Sequence, residues 1–170
     1  MPVSWPRTVG QLPIHYSKNL TQLPETAPQY RSFYWDESTA PLYPFGYGLS
    51  YTSFDISNIK TSKPSVKTTD SVQVSVDVKN KGSVAGDEVV QLYIHQRAGS
   101  ASRPVRQLKG FQRVALAPGE NKTVTFNLGK DELKFWSSET KSWVVEPESF
   151  DVWVGEDSKA SLHSEFTVTN

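Results

Sequence analysis

Valine recurs at positions 72, 74, 76 and 78, alternating with Gln73, Ser75, Asp77 and Lys79. Successive side chains of an extended chain point to opposite faces, so this period of 2 describes a strand with one face in a core and the other in water. A helix would place the four valines on opposite sides of its axis, where no single core could take them. Asn80-Lys81-Gly82-Ser83 then supplies turn chemistry that ends the strand. The same texture returns along the chain. Residues 89–95 (VVQLYIH) read as a strand with Val90, Leu92 and Ile94 on one face and Tyr93 on the other. Residues 108–116 follow, closed by Ala117-Pro118-Gly119-Glu120, after which Val124, Phe126 and Leu128 alternate with polar residues. Phe150, Val152 and Val154 form another alternating run, Leu162, Phe166 and Val168 a last one, and residues 54–59 complete a set of seven strands.

Short strands at regular spacing, with turn residues between them, make an antiparallel sandwich. The fold expected is therefore all-β, a fibronectin type III or immunoglobulin-like antiparallel β-sandwich over residues 51–170 with an extended N-terminal arm. Residues 131–136 (DELKFW) offer at most one helical turn, and no internal repeat is visible. A chain of 170 residues has room for one such domain plus an appendage and is too short for a complete two-domain enzyme. The absence of cysteine removes disulfides, thiolate nucleophiles and Cys-ligated metals, disfavours a Cys-Trp-Cys antibody-type core, and leaves the redox compartment open.

The arm divides in two. Residues 1–16 are apolar, with Trp5, Val9, Leu12, Ile14 and Tyr16 resembling core residues that lack partners nearby, so the start reads as a cut. Within them residues 9–16 (VGQLPIHY) read as one strand interrupted by Pro13. Residues 17–50 carry Pro24, Pro28, Pro41 and Pro44 among seven aromatic side chains, with no sustained period. They read as an extended linker pinned by its aromatics, since a flexible linker would be rich in Gly and Ser.

Eighteen basic and eighteen acidic residues cancel, so no overall field draws the chain to nucleic acid or an anionic membrane. No window approaches the roughly 18 apolar residues of a membrane helix, and the first residues lack the apolar core of a secretory signal. Neither nucleic acid nor membrane is expected as a partner. His15, His95 and His163 stand far apart with no metal-ligand spacing, and no metal or other cofactor is expected. Gly46-Tyr-Gly-Leu-Ser50 is out of frame for a nucleophile elbow, and its glycines suit a turn. The adjacency of Asp36-Glu37, Asp87-Glu88, Asp131-Glu132 and Glu156-Asp157 is no evidence of a catalytic pair, because strand neighbours face opposite ways; turn and surface placement accounts for most of them, and Asp36, among Tyr34 and Trp35, is the one kept as a candidate. Asn19-Leu-Thr21 and Asn121-Lys-Thr123 fit the N-glycosylation acceptor pattern. The basic run Arg97, Arg103, Arg106, Lys109, Arg113 is expected to pair with the acidic stretch Glu146, Glu148, Asp151, Glu156, Asp157 across the sandwich. Pairing with a second copy would instead make a dimerisation element. Trp136, Trp143 and Trp153 are available for stacking on a sugar, which would make a stand-alone carbohydrate-binding module.

The stretch Pro41-Leu-Tyr-Pro-Phe-Gly-Tyr-Gly-Leu-Ser-Tyr-Thr52 closely resembles the signature that joins the last two domains of family-3 glycoside hydrolases of the β-glucosidase and β-xylosidase type. Residues 7–16 (RTVGQLPIHY), Tyr34-x-Asp36, residues 82–93 (GSVAGDEVVQLY), residues 103–113 (RPVRQLKGFQR) and residues 116–120 (LAPGE) resemble further family motifs in the same order. The resemblance implies that residues 1–16 are the last strand of a preceding α/β sandwich domain, 17–50 a linker and 51–170 a fibronectin type III-like domain. It implies a non-catalytic C-terminal part of a retaining β-glycosidase acting on terminal β-linked sugars, which stabilises the catalytic domains. The implied partners are the α/β sandwich and barrel domains of the same enzyme, with an oligosaccharide close by. In the family the barrel supplies a nucleophilic Asp within Ser/Thr-Asp-Trp and the sandwich an acid/base Glu. Neither motif position occurs here, so no catalytic residue is carried over. Tyr34, Trp35 and Asp36 are the candidates for one wall of the sugar site, with plain interdomain packing as the alternative role. A periplasmic or secreted location is implied by the family alone.

Overall fold

The computed structural model describes residues 1–19 and 36–170. Ten strands follow in chain order: β1 (Phe54–Thr61), β2 (Ser65–Lys67), β3 (Val72–Asn80), β4 (Gly86–Gln96), β5 (Gln107–Leu116), β6 (Asn121–Leu128), β7 (Phe135–Ser137), β8 (Ser142–Val144), β9 (Ser149–Gly155) and β10 (Leu162–Thr169). A single helical turn, α1 (Lys130–Leu133), precedes β7. A three-stranded sheet in the order β1-β3-β6 packs over a five-stranded sheet in the order β2-β10-β9-β4-β5. Strands β7 and β8 form a separate hairpin. All seven expected strands are present, and the architecture is an all-β sandwich. The three additional strands have three residues each, too short to leave a period in the sequence.

The valine alternation has its expected cause. Val72, Val74, Val76 and Val78 are all buried, and the first three lie opposite Leu128, Phe126 and Val124 of β6 in the antiparallel register. From the facing sheet come Val90, Leu92, Ile94, Phe150, Val152, Val154, Phe166 and Val168, which close one core. Strand β1 bends at a register shift between Ser57 and Lys60, where Asn58 takes a left-handed conformation and donates its amide to Asp77 at 2.9 Å. The Ala117-Pro-Gly-Glu120 segment turns as expected: Gly119 has φ of 75°, a region open to glycine at no steric cost, and Glu120 N–H donates to the Ala117 carbonyl at 3.0 Å.

One buried polar residue ties three edges of the sandwich together. Asn80 donates from Nδ2 to the carbonyls of Val84 (2.8 Å) and Leu116 (3.2 Å), and its Oδ1 accepts from Thr52 Oγ1 (2.7 Å) and Gly82 N–H (3.0 Å). Every bonding site of the amide is used, as burial requires. Asn80→Ala leaves these groups unpaired with little water access. It is expected to lower the unfolding free energy by about 2–4 kcal/mol, read from urea denaturation with an unchanged m-value.

One expectation fails. No strand forms over residues 9–16; Val9–Gln11 make one 3-10 turn instead. A strand requires an edge to pair with, and none of the described strands presents one to this segment. Tyr93, on the face of β4 opposite Val90, Leu92 and Ile94, is buried as deeply as Leu92, so β4 is covered on both sides.

Candidate functional site

The cover over Tyr93 is the N-terminal arm. Tyr16 stacks on Phe45 with ring centroids 4.1 Å apart and meets Tyr93 edge-on at 5.9 Å. Tyr16 Oη accepts from Leu108 N–H at 3.4 Å, Lys18 carbonyl accepts from Val105 N–H at 2.9 Å, and Asn19 bridges to Pro104. Phe45 carbonyl accepts from Ser158 N–H at 2.8 Å. The expected pinning by aromatics is thus visible for Phe45, while Tyr43 and Tyr47 stack on each other at 4.9 Å.

Residues 1–16 hold chiefly to residues 37–47. Trp5 N–H donates to the Tyr43 carbonyl and Leu42 N–H to the Trp5 carbonyl, each at 2.8 Å. The buried Gln11 amide donates to the Ser38 carbonyl at 2.6 Å and accepts from Arg7 N–H at 2.5 Å.

The junction of arm and sheet is organised by Gln91. Its Nε2 donates to the carbonyls of Gly46 (3.1 Å) and Glu156, and its Oε1 accepts from the Tyr93 hydroxyl at 2.6 Å. Gly46, at φ of 87°, allows this approach; a Cβ there would overlap the Gln91 carboxamide. Sequence reading passed over Gln91, although a glutamine inside the apolar run VVQLYIH was a visible irregularity.

Two clefts border the arm. One of about 600 Å³ is lined in part by Phe45, Tyr47, Glu88, Gln91, Phe111 and Glu156. The other, of about 740 Å³, lies among Val3, Trp5, Val9, Leu12, Ile14 and Phe45. The apolar side chains around them face outward: Leu12 is 60% exposed, Phe111 68%, Leu49 88% and Tyr51 fully. These large apolar side chains leave an outward apolar surface around the clefts.

In the first cleft burial and the nearby Glu156 carboxylate push the Glu88 carboxyl up to about 7, and burial with Asp157 raises Glu156 too. Glu88 sits on β4 and Glu156 just beyond β9, so the fold joins one member from each of two sequence-adjacent acidic pairs. A carboxyl whose folded pKa exceeds its unfolded value binds its proton more tightly in the native state. Its contribution to stability is present at low pH and is lost as pH rises from about 4.5 through about 7. Glu88→Gln is expected to flatten the decline in unfolding free energy between pH 5 and pH 8 by about 1 kcal/mol, after discounting for partial exposure. An identical pH dependence in both proteins contradicts this assignment.

Of the sugar-wall candidates, Tyr34 and Trp35 lie outside the described residues. Asp36 is exposed and lines neither cleft. The charge pairing holds in part. Arg97 is bidentate to Asp151 (3.0 and 2.7 Å) and also meets Glu165, while Ser100, in the basic loop, donates to Glu146. Arg113 pairs with Asp87 instead, and Arg106 lies 4.5 Å over the Trp153 ring. Trp153 is therefore covered, whereas Trp136 and Trp143 stand out from the β7-β8 hairpin. Among the described residues no three His, Cys, Asp or Glu side chains converge as a metal site.

The fold and the arm surface define a class, a fibronectin type III-like sandwich with an outward apolar face. A family model for the Fibronectin type III-like domain matches residues 88–158. The periplasmic β-glucosidase of Salmonella typhimurium is 46% identical over 161 residues, a match that spans 93% of this chain and 21% of that protein. A β-xylosidase of Formosa agariphila is 44% identical over 158 residues, again 21% of its length. The crystal structure of β-glucosidase from Listeria innocua in complex with glucose superposes with a TM-score of 0.90 at 38% identity, covering 99% of this chain and 24% of that one. The chain belongs with family-3 glycoside hydrolases of the β-glucosidase and β-xylosidase type, as a segment resembling their C-terminal part. It spans about a fifth of the length of the curated relatives it matches.

Proposed function

We propose that this chain is a non-catalytic structural segment of a retaining β-glycosidase that hydrolyses terminal β-linked sugars, and that it stabilises the catalytic domains by docking through the arm face. In this reading residues 1–16 complete a preceding α/β sandwich domain, residues 17–50 link, and residues 51–170 are the fibronectin type III-like domain. The observation that carries it is the outward apolar surface around the two clefts. Leu12, Leu49, Tyr51 and Phe111 expose area that a lone domain would bury, and covering it gives docking its driving force. Arg97 and Asp151 of the two charge runs pair within one chain, which favours this reading over a dimer held by those runs.

A chimera tests the proposal. The matching segment of the Salmonella periplasmic β-glucosidase is replaced by this chain, and hydrolysis of p-nitrophenyl β-D-glucoside is measured beside a form that lacks the segment. The chimera is expected to keep activity within about tenfold of the parent, a barrier change near 1.4 kcal/mol, and the deleted form to lose it. A deleted form as stable and active as the parent, or hydrolysis by this chain alone, overturns the reading.

A further inference from the structure

We propose that the β7-β8 hairpin is a binding site for β-linked gluco-oligosaccharides, with the Trp136 and Trp143 indoles as the surface on which the sugar rings lie. This inference does not depend on the docking role of the arm face, since neither indole lines either cleft.

The hairpin presents its two faces very differently. Phe135 and Ser137 of β7 point inward and are buried, and the Arg103 guanidinium closes over the Phe135 ring at 4.6 Å. Trp136, between them, points outward and lies directly opposite Trp143 of β8. The indoles meet edge to face, centroids 5.7 Å apart and planes at 75°, and remain 51% and 56% exposed. Lys134 Nζ, held by Asp131 at 2.5 Å, lies over one face of the Trp143 ring at 5.5 Å from its centroid, so the surface left to a sugar is the exposed remainder of the two indoles.

Size and charge select the occupant. Aromatic side chains bury roughly 150–250 Å² each, so two half-exposed indoles offer about 200–250 Å². A stable protein interface takes about 800 Å² per partner, several times more, while one or two pyranose rings match the smaller figure. The charges around the hairpin are largely matched: Lys134 is paired with Asp131, Arg103 faces Glu146 and Lys109 faces Glu132, so no unbalanced cluster favours an ionic ligand. Ser138, Thr140 and Lys141 at the tip are exposed and offer hydrogen bonds to a hydroxylated rim. A β-glucosyl ring has all its ring hydroxyls equatorial and axial C–H groups on both faces. It therefore lays an apolar face on an indole while its hydroxyls reach the rim. An axial hydroxyl, as in galactose, spoils one of those faces.

Calorimetric titration of the chain with cellotetraose and laminaritetraose tests the site. At least one should bind saturably, with a dissociation constant on the order of 1 mM, and β-1,4-galactotetraose about tenfold more weakly. Trp136→Ala and Trp143→Ala should each weaken binding about tenfold or more, while Trp5→Ala leaves it unchanged. Should an alanine variant fail to fold, the indole N–H resonances of the unaltered chain decide: those of Trp136 and Trp143 shift on titration and those of Trp5 and Trp153 do not. No saturable binding of either glucose oligomer up to about 20 mM overturns the proposal, as does binding that survives both substitutions or shifts confined to other indoles.

Discussion

Replacing Gln91 with Leu is expected to lower the unfolding free energy by about 3–5 kcal/mol and the melting temperature by roughly 10 °C. Leucine fills similar space, so the loss comes from bonding and not from a cavity. Three groups lose their partner at once: the Gly46 and Glu156 carbonyls and the Tyr93 hydroxyl. Tyr93 is fully buried, and burial holds its hydroxyl protonated far above the ordinary tyrosine range, so this donor has no route to water. The second consequence is local. With Gly46 released, the hydrogen bond to the Phe45 carbonyl, the Tyr16 ring contacts and the bonds from Leu108 and Val105 to Tyr16 and Lys18 remain to hold the arm to the sheet. Hydrogen exchange should therefore quicken first at the amides of Gly46, Leu42 and Trp5, ahead of β3 and β6. Native protection at those three amides in a destabilised variant would mean that the aromatic stack, and not the Gln91 amide, holds the arm.

Legibility in the sequence tracked how many faces of an element meet water. Strand β3 has one wet face, so its valines alternate visibly and its burial follows from the sequence alone. Strand β4 carries the arm on its second face; its period sets Tyr93 opposite the core residues, but the arm that buries Tyr93 there leaves no mark in that period. The failure at residues 9–16 has the same origin. Apolar content and spacing describe a segment able to become a strand, while its pairing depends on an edge that the described chain does not supply. The carboxyl pair Glu88 and Glu156 left no local trace, because the register of β4 against β9 brings them together. Trp153 and Trp143 look alike in sequence as tryptophans within short alternating runs. The Arg106 guanidinium, delivered by the loop before β5, and the His163 ring cover Trp153, whereas Trp143, with Lys134 farther off its ring, keeps more than half of its surface exposed.

Phe150→Ala and Phe111→Ala remove the same side chain from the two surfaces of one sheet, and their effects are expected to separate sharply. Phe150 is fully buried in β9 between β4 and β10, stacked on Phe166 with centroids 5.3 Å apart and planes within 7°. Its loss opens a cavity in a core that two rigid sheets cannot close. It is expected to cost about 3–5 kcal/mol, a fall of roughly 10 °C or more in melting temperature. Phe111, at 68% exposure on the edge strand β5, should change the stability of this chain by no more than about 0.5 kcal/mol. In the chimera the comparison changes, because there Phe111 would be covered by the docked catalytic domains. Phe150→Ala should then lower the melting temperature of chain and chimera alike, whereas Phe111→Asp should lower that of the chimera alone. A Phe111→Asp chimera that melts and hydrolyses like its parent would remove β5 from the docking face and leave the arm, with Trp5 and Leu12, as its whole extent.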